Sequence, residues 1–128
     1  MKFSPNLLAL QQVSVNVKDL TRATEFYRDK LGLPFLFTAG NMAFVQCGTV
    51  RLMLALPEKP ELDFPSSILY FQVADIQASF KALQERGVHV ERKPEIVARI
   101  AGGELWLAFF RDSEGNVFSI SAEVKAPS

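Results

Sequence analysis

A chain of 128 residues with 48% hydrophobic side chains is long enough for one compact domain with a real core and too short for a second independent one. Its 14 basic and 14 acidic residues cancel, and no Lys/Arg run supplies the phosphate-neutralising surface of a nucleic-acid binder. The longest apolar runs fall far short of a bilayer span, and the opening "MKFSPNLLAL" has only a four-residue apolar stretch with no cleavage site, so a soluble, cytoplasmic protein is expected.

In chain order, the pattern predicts a strand from Leu10 to Val17 and a helix from Asp19 to Leu31. Asp19 is a natural N-cap; Leu20, Ala23, Phe26, Tyr27 and Leu31 recur at helical spacing; Gly32 and Pro34 supply the stop. Extended pieces follow near Phe35 to Thr38, Met42 to Cys47 and Val50 to Leu56. The connector "PEKPELDFPS", residues 57–66, is rich in proline and charge and reads as a linker without structure of its own. A strand from Ser67 to Val73 then leads to Asp75 as a second N-cap, to Ile76, Phe80 and Leu83 as an apolar stripe, and to Gly87 as the helix end. Three extended pieces close the chain, near Val88 to Ile96, Glu104 to Phe110 and Val117 to Ala122.

The order repeats, and so do the letters. "VKDLTRATEFYRDKLGL" and "VADIQASFKALQERGVHV" share V-x-D-hydrophobic at the strand-to-helix junction and a glycine at the helix end. Two βαβββ modules, about 8–56 and 67–123, make up a single domain over residues 1–128. Each helix covers one face of its sheet, and something else must meet the other face.

Strand alternation shows what that other face carries. Val13, Val15 and Val17 oppose Gln12, Ser14 and Asn16; Val50, Leu52, Leu54 and Leu56 oppose Arg51, Met53 and Ala55. Leu69, Phe71 and Val73 oppose Ile68, Tyr70 and Gln72, and Phe118, Ile120 and Ala122 oppose Val117, Ser119 and Ser121. A plain solvent face would hold Lys, Glu and Asp. Apolar surface with a few polar groups suits a ligand pocket, while a half-exposed sheet or a dimer interface would have a similar composition.

The paired modules, the "VKDLTRATEFYRDKLGL" stretch and the closing "FFRDSEGNVFSIS" resemble the vicinal oxygen chelate superfamily. That superfamily includes glyoxalase I, bleomycin resistance proteins, methylmalonyl-CoA epimerase, fosfomycin resistance proteins and extradiol dioxygenases. The resemblance covers nearly the whole chain and implies an α+β fold whose two modules curl into a cup-shaped sheet. In active members a divalent metal at the cup centre polarises a substrate while a carboxylate moves a proton. Carried over by the flanking signatures, the metal-ligand positions fall on Gln12, Met53, Ile68 and Ser119. A shift of two residues along the same face would substitute Arg51 or Ala55, and Ser66 or Tyr70. An amide, a thioether, a hydrocarbon and a hydroxyl do not supply the imidazole and carboxylate ligands such a metal needs, so no metal and no cofactor are expected. The one histidine, His89, reads as a surface or turn residue at the entrance to the sixth strand. The one cysteine, Cys47, has no disulfide partner and no CxxC neighbour, and reads as a small buried apolar group.

A cup without its metal implies a binding protein of the bleomycin resistance kind, holding a partly apolar and possibly acidic small molecule. Met42, Phe44, Met53, Tyr70, Leu107 and Phe109 are the expected apolar walls, although aromatic residues also fill cores. Gln12, Asn16, Gln46, Gln72 and Ser119 are the expected polar contacts. Arg51 offers a bidentate site for a carboxylate or phosphate, or else it snorkels to the rim or pairs with an acid. Trp106 falls on the opposite face as core or interface. Arg22, Lys30, Lys81 and Glu85 belong to solvated helix faces. A homodimer is expected. The alternatives are an enzyme of this fold (a lyase, isomerase or dioxygenase with an atypical metal site, having only Tyr70 and Arg51 as ionisable groups) and an interaction module whose concave face a partner covers.

Overall fold

The computed structural model describes residues 4–125. Asp19 and Asp75 cap their helices as the sequence predicts: their carboxylates accept the backbone N–H of Arg22 at 3.0 Å and of Ala78 at 3.1 Å. Helix α1 runs Leu20–Glu25 and continues as a π turn over Phe26–Lys30, whereas periodicity predicts one regular helix. Phe26 and Tyr27 open that turn, and both aromatic side chains are buried in the core. Helix α2 is Ile76–Glu85. Gly32 and Gly87 follow the two helices at φ of 73° and 80°, a left-handed conformation that ends a helix and favours glycine. Among the described residues, no helix is long and apolar enough to cross a membrane.

Eight strands form two four-stranded sheets, one per βαβββ module. The first holds β1 (Gln12–Asn16), β4 (Val50–Ala55), β3 (Met42–Cys47) and β2 (Phe35–Ala39) in that spatial order. The second holds β5 (Leu69–Gln72), β8 (Val117–Lys125), β7 (Gly103–Arg111) and β6 (His89–Ile100). The fold is thus α+β, with β1 parallel to β4 and β5 parallel to β8. Strand β6 extends four residues past its expected end at Ile96 and contains Pro94. It is an edge strand with several register shifts, and an edge tolerates a residue without an N–H.

Register settles the faces. Val13 and Val15 sit beside Leu52 and Leu54, which sit beside Val45 and Ala43. In the second sheet Phe118 lies between Leu69 and Phe110, and Ile120 between Phe71 and Ala108. These residues and the helices make one core that spans both modules. The Phe110 and Phe118 rings stack at 5.4 Å, and Phe26 of α1 meets Phe118 edge-on at 6.1 Å. Trp106 packs half-buried against this core, on the helix-covered face.

Polar contacts lock the modules together at the turn from Asp112 to Asn116. Asp112 accepts the Tyr27 hydroxyl at 2.6 Å and folds its own turn by accepting the N–H groups of Glu114 and Asn116. Glu114 accepts the N–H groups of Lys18 and Asp19 at 2.8 Å each and pairs with Arg22 at 2.8 Å. Asn116 donates to the Asn16 carbonyl at the end of β1. Burial pushes the Glu114 pKa up, but Arg22 and the backbone donors outweigh it and hold the carboxyl at about 2. Burial, with Asp112 beside it, pushes the Tyr27 hydroxyl well above its usual value.

The folded pKa of Glu114 lies below the unfolded one, so its stabilisation is complete above pH 4.5 and disappears as pH falls toward 2. At neutral pH that amounts to at most about 3 kcal/mol. Tyr27 behaves in the opposite sense: its contribution holds below about pH 10 and declines as pH rises beyond it. Urea unfolding of the native chain should therefore lose stability steeply between pH 4.5 and 2. Glu114→Gln should be weaker at neutral pH and much flatter across that acid range; parallel curves would remove Glu114 from the junction.

Candidate functional site

The face of each sheet turned away from its helix carries the side chains the sequence singles out. On the first sheet, Gln12 lies beside Arg51 and Gln46, Ser14 beside Met53 and Phe44, and Asn16 beside Ala55 and Met42. Strand β2 adds Phe37 opposite Phe44, and the two rings stack at 4.5 Å. Phe37 is missing from the residues expected in the site. The alternation of "FLFTA" is visible in the sequence, but its register against Phe44 is not.

Arg51 sits near the β3–β4 turn on this face, on a built platform. Its Nε donates to Gln12 Oε1 at 2.8 Å, and its Cζ stands 5.4 Å above the Phe44 ring. The Gln12 amide nitrogen in turn contacts Met53 Sδ at 3.6 Å. Phe44 is only 7% exposed although it lies on the open face, because Arg51 and Phe37 cover it. Among the described residues no carboxylate pairs with Arg51. Of the three expectations for Arg51, pairing with an acid does not occur among these residues. Among the described residues the guanidinium's outer N–H groups meet no protein acceptor, and Gln12 and Phe44 hold the group on two sides.

Other expected contacts are committed to the fold. The Asn16 amide donates to the carbonyls of Leu62 and Phe64 at 2.9 Å each, and its backbone N–H donates to Ser66 Oγ at 2.7 Å. The 57–66 connector is therefore pinned to β1 and contains a short 3-10 turn at Pro60–Leu62, rather than lacking structure. Gln46 donates to the Gly48 carbonyl and braces the β3–β4 turn.

On the second sheet, Tyr70 and Gln72 line up with Ser119 and Ser121, and these with Phe109 and Leu107. Tyr70 is 54% exposed and meets Phe109 edge to face at 6.0 Å. Ser119 differs from its expected role as a polar contact: it is 0% exposed and donates its hydroxyl to the Ala108 carbonyl at 2.8 Å. It is a small residue on an inner strand flanked by Tyr70 and Phe109, so the two rings close over it. His89 is exposed, beside Glu91 at the start of β6, and Cys47 is half-buried with its thiol pKa pushed up by burial.

The two faces remain separate sets within the chain, since β1 and β5 are unpaired edges of different sheets. They approach at one end, where a cleft of about 530 Å³ is lined by Asn16, Lys18, Phe64, Ile68, Arg111 and Val117. Of the expected contacts, Asn16 alone lines it.

The four positions that correspond to metal ligands do not fit a divalent cation. Gln12 Oε1 is taken by the Arg51 guanidinium, whose charge opposes a cation beside it. Ser119 is closed, Ile68 is a hydrocarbon, and Met53 offers a soft sulfur already touched by Gln12. Among the described residues no three His, Cys, Asp or Glu side chains converge.

Comparison with known proteins agrees with this architecture. A sequence model described as the Glyoxalase/Bleomycin resistance protein/Dioxygenase superfamily matches residues 9–120. The uncharacterized protein YraH of Bacillus subtilis (strain 168) is 30% identical over 131 residues, which span 88% of this chain and 97% of that one. Among solved structures, TnmS3, an antibiotic binding protein from Streptomyces sp. CB03234, superimposes with a TM-score of 0.76 at 27% identity, covering 97% of this chain and 99% of its own. A lactoylglutathione lyase from Agrobacterium tumefaciens gives 0.69 at 20% identity over 93% of this chain and 96% of its own, a likeness of fold.

Proposed function

The chain belongs to the glyoxalase/bleomycin resistance protein/dioxygenase superfamily, and from that premise we propose that it binds a small, partly apolar organic acid on its sheet faces without a metal. The observation that carries this reading is Arg51: a guanidinium with no carboxylate partner among the described residues, fixed by Gln12 and Phe44 on a face otherwise uncharged there. A guanidinium oriented before the ligand arrives meets a carboxylate or phosphate bidentately and loses little rotamer freedom in doing so. Phe37, Phe44 and Met53 offer the apolar wall for the rest of the molecule. Likeness to an antibiotic binding protein at 27% identity supports sequestration over conversion.

The reading extends to a homodimer. Phe35, Phe37 and Tyr70 are exposed on the strands, and Leu7 and Leu8 are 91% and 95% exposed ahead of β1. Apolar surface of that extent on a chain of this size calls for a cover, and a second copy would close each open face into a pocket.

Naphthoate and its neutral amide separate charge from shape. The native protein should prefer the carboxylate by about 2 kcal/mol, roughly thirtyfold in affinity, the range of a hydrogen bond to a charged group. Arg51→Ala should erase that preference while the amide binds as before; equal losses for both probes would remove Arg51 from the site. Sedimentation should give the mass of two chains, and a monomer at every concentration would overturn the dimer.

A further inference from the structure

A second cavity lies on the helix side of the molecule, and its lining reaches Gln72, one of the contacts expected on the open sheet face. It holds about 290 Å³ between α2, the start of the second sheet and the segment that follows α1. Leu31 and Leu33 come from the first module, Phe71, Leu83 and Phe118 from the second, and Cys47 and Arg86 also line it.

The internal repeat explains why the space exists. Val17, Asp19 and Leu20 recur as Val73, Asp75 and Ile76, and in the same register Phe26 and Tyr27 become Ala82 and Leu83. At the first junction, Phe26 packs on Phe118 and Tyr27 reaches the β7–β8 turn at Asp112. At the second, Ala82 and Leu83 face the cavity across from Cys47, at the end of β3. Two aromatic side chains fill one junction, and smaller residues leave the other hollow. The result is a half-open cleft with a largely apolar lining.

One cation, Arg86, lines the cavity, and a second, Lys30, lies beside it near Gly87. The Arg86 guanidinium donates to the Lys30 carbonyl at 2.8 Å, and a side-chain carbon built on Gly87 would lie 3.8 Å from Lys30 Nζ. Neither Lys30 nor Arg86 pairs with a carboxylate among the described residues. An apolar chamber beside these two cations fits an amphiphile with an anionic head. We propose that this inter-module cavity is a second binding site, for a medium-chain monocarboxylate whose tail enters the cavity while its carboxylate rests on Arg86 and Lys30. At about 30 Å³ per water-sized group the cavity takes about ten such groups, the size of octanoate.

Cys47 is the one cysteine in the chain and lines this cavity, so its alkylation by iodoacetamide at mildly alkaline pH reports occupancy here and not on the sheet faces. At an octanoate concentration about ten times its Kd, the rate should fall about tenfold, in step with the unliganded fraction. Octanol at the same concentration should protect far less. Arg86→Gln should bring octanoate protection down to the octanol level, and Ala82→Phe, which rebuilds the filled junction, should abolish it. Should Ala82→Phe fail to fold, the Arg86→Gln result decides alone. No protection of the native protein by octanoate, equal protection by octanol, or full protection in Ala82→Phe or Arg86→Gln would overturn the proposal.

Discussion

The carboxylates of Asp112 and Glu114 hold the two halves of this molecule in one piece. Among the described residues each half is a four-stranded sheet with one helix, and no strand of one sheet pairs with a strand of the other. What joins them is the shared apolar core, the Arg86 hydrogen bond to the Lys30 carbonyl and the turn from Asp112 to Asn116, which grips Tyr27, the start of α1 and the end of β1. The Glu114 side chain is 1% exposed, so its charge is tolerable only because Arg22 and two backbone N–H groups surround it. Removing those donors would leave a buried, unpaired charge, which costs far more than a surface ion pair contributes.

That junction also decides where function can lie. Because the helices and the core take one face of each sheet, the other face is left with Gln12, Arg51, Phe44 and Met53 in one module and Tyr70, Phe109 and Leu107 in the other. Cation–aromatic stacking, one charge-assisted hydrogen bond and an amide–thioether contact together fix Arg51 without neutralising it. An acid at that spot would have made a structural ion pair. Its absence among the described residues makes the charge available to a ligand. The two junctions differ in the same way: where Tyr27 satisfies Asp112, the repeat offers only Leu83, and a cavity lined in part by Arg86 remains.

Much of this was legible in the sequence. Asp19 and Asp75 announced both helix starts, and the V-x-D-hydrophobic repeat announced two modules, because capping and alternation are local effects. Alternation also placed Arg51 and Gln12 on one face. Pairing register is not local, and so the Phe37–Phe44 stack went unseen. Ser119 was assigned to the correct face, but its closure depends on Tyr70 and Phe109 from the two neighbouring strands. The commitment of Asn16 to the connector is a contact over 46 residues that no spacing encodes, and helical spacing does not tell a π turn from a regular one at Phe26–Lys30. The "DSEGN" stretch was legible as a fold signature, but not as the clamp between modules.

The account rests on the claim that this face recognises an organic anion through Arg51 and holds no metal. The most direct test is the melting temperature of freshly purified protein titrated with Zn²⁺, Ni²⁺, Mn²⁺ and Fe²⁺, read beside its metal content, since a ligand that binds the native state raises the melting point by mass action. The account predicts no stoichiometric metal and no saturable rise with any of the four ions. One metal per chain, with a clear saturable rise, would contradict it and move the chemistry to donors other than Gln12, Met53, Ile68 and Ser119.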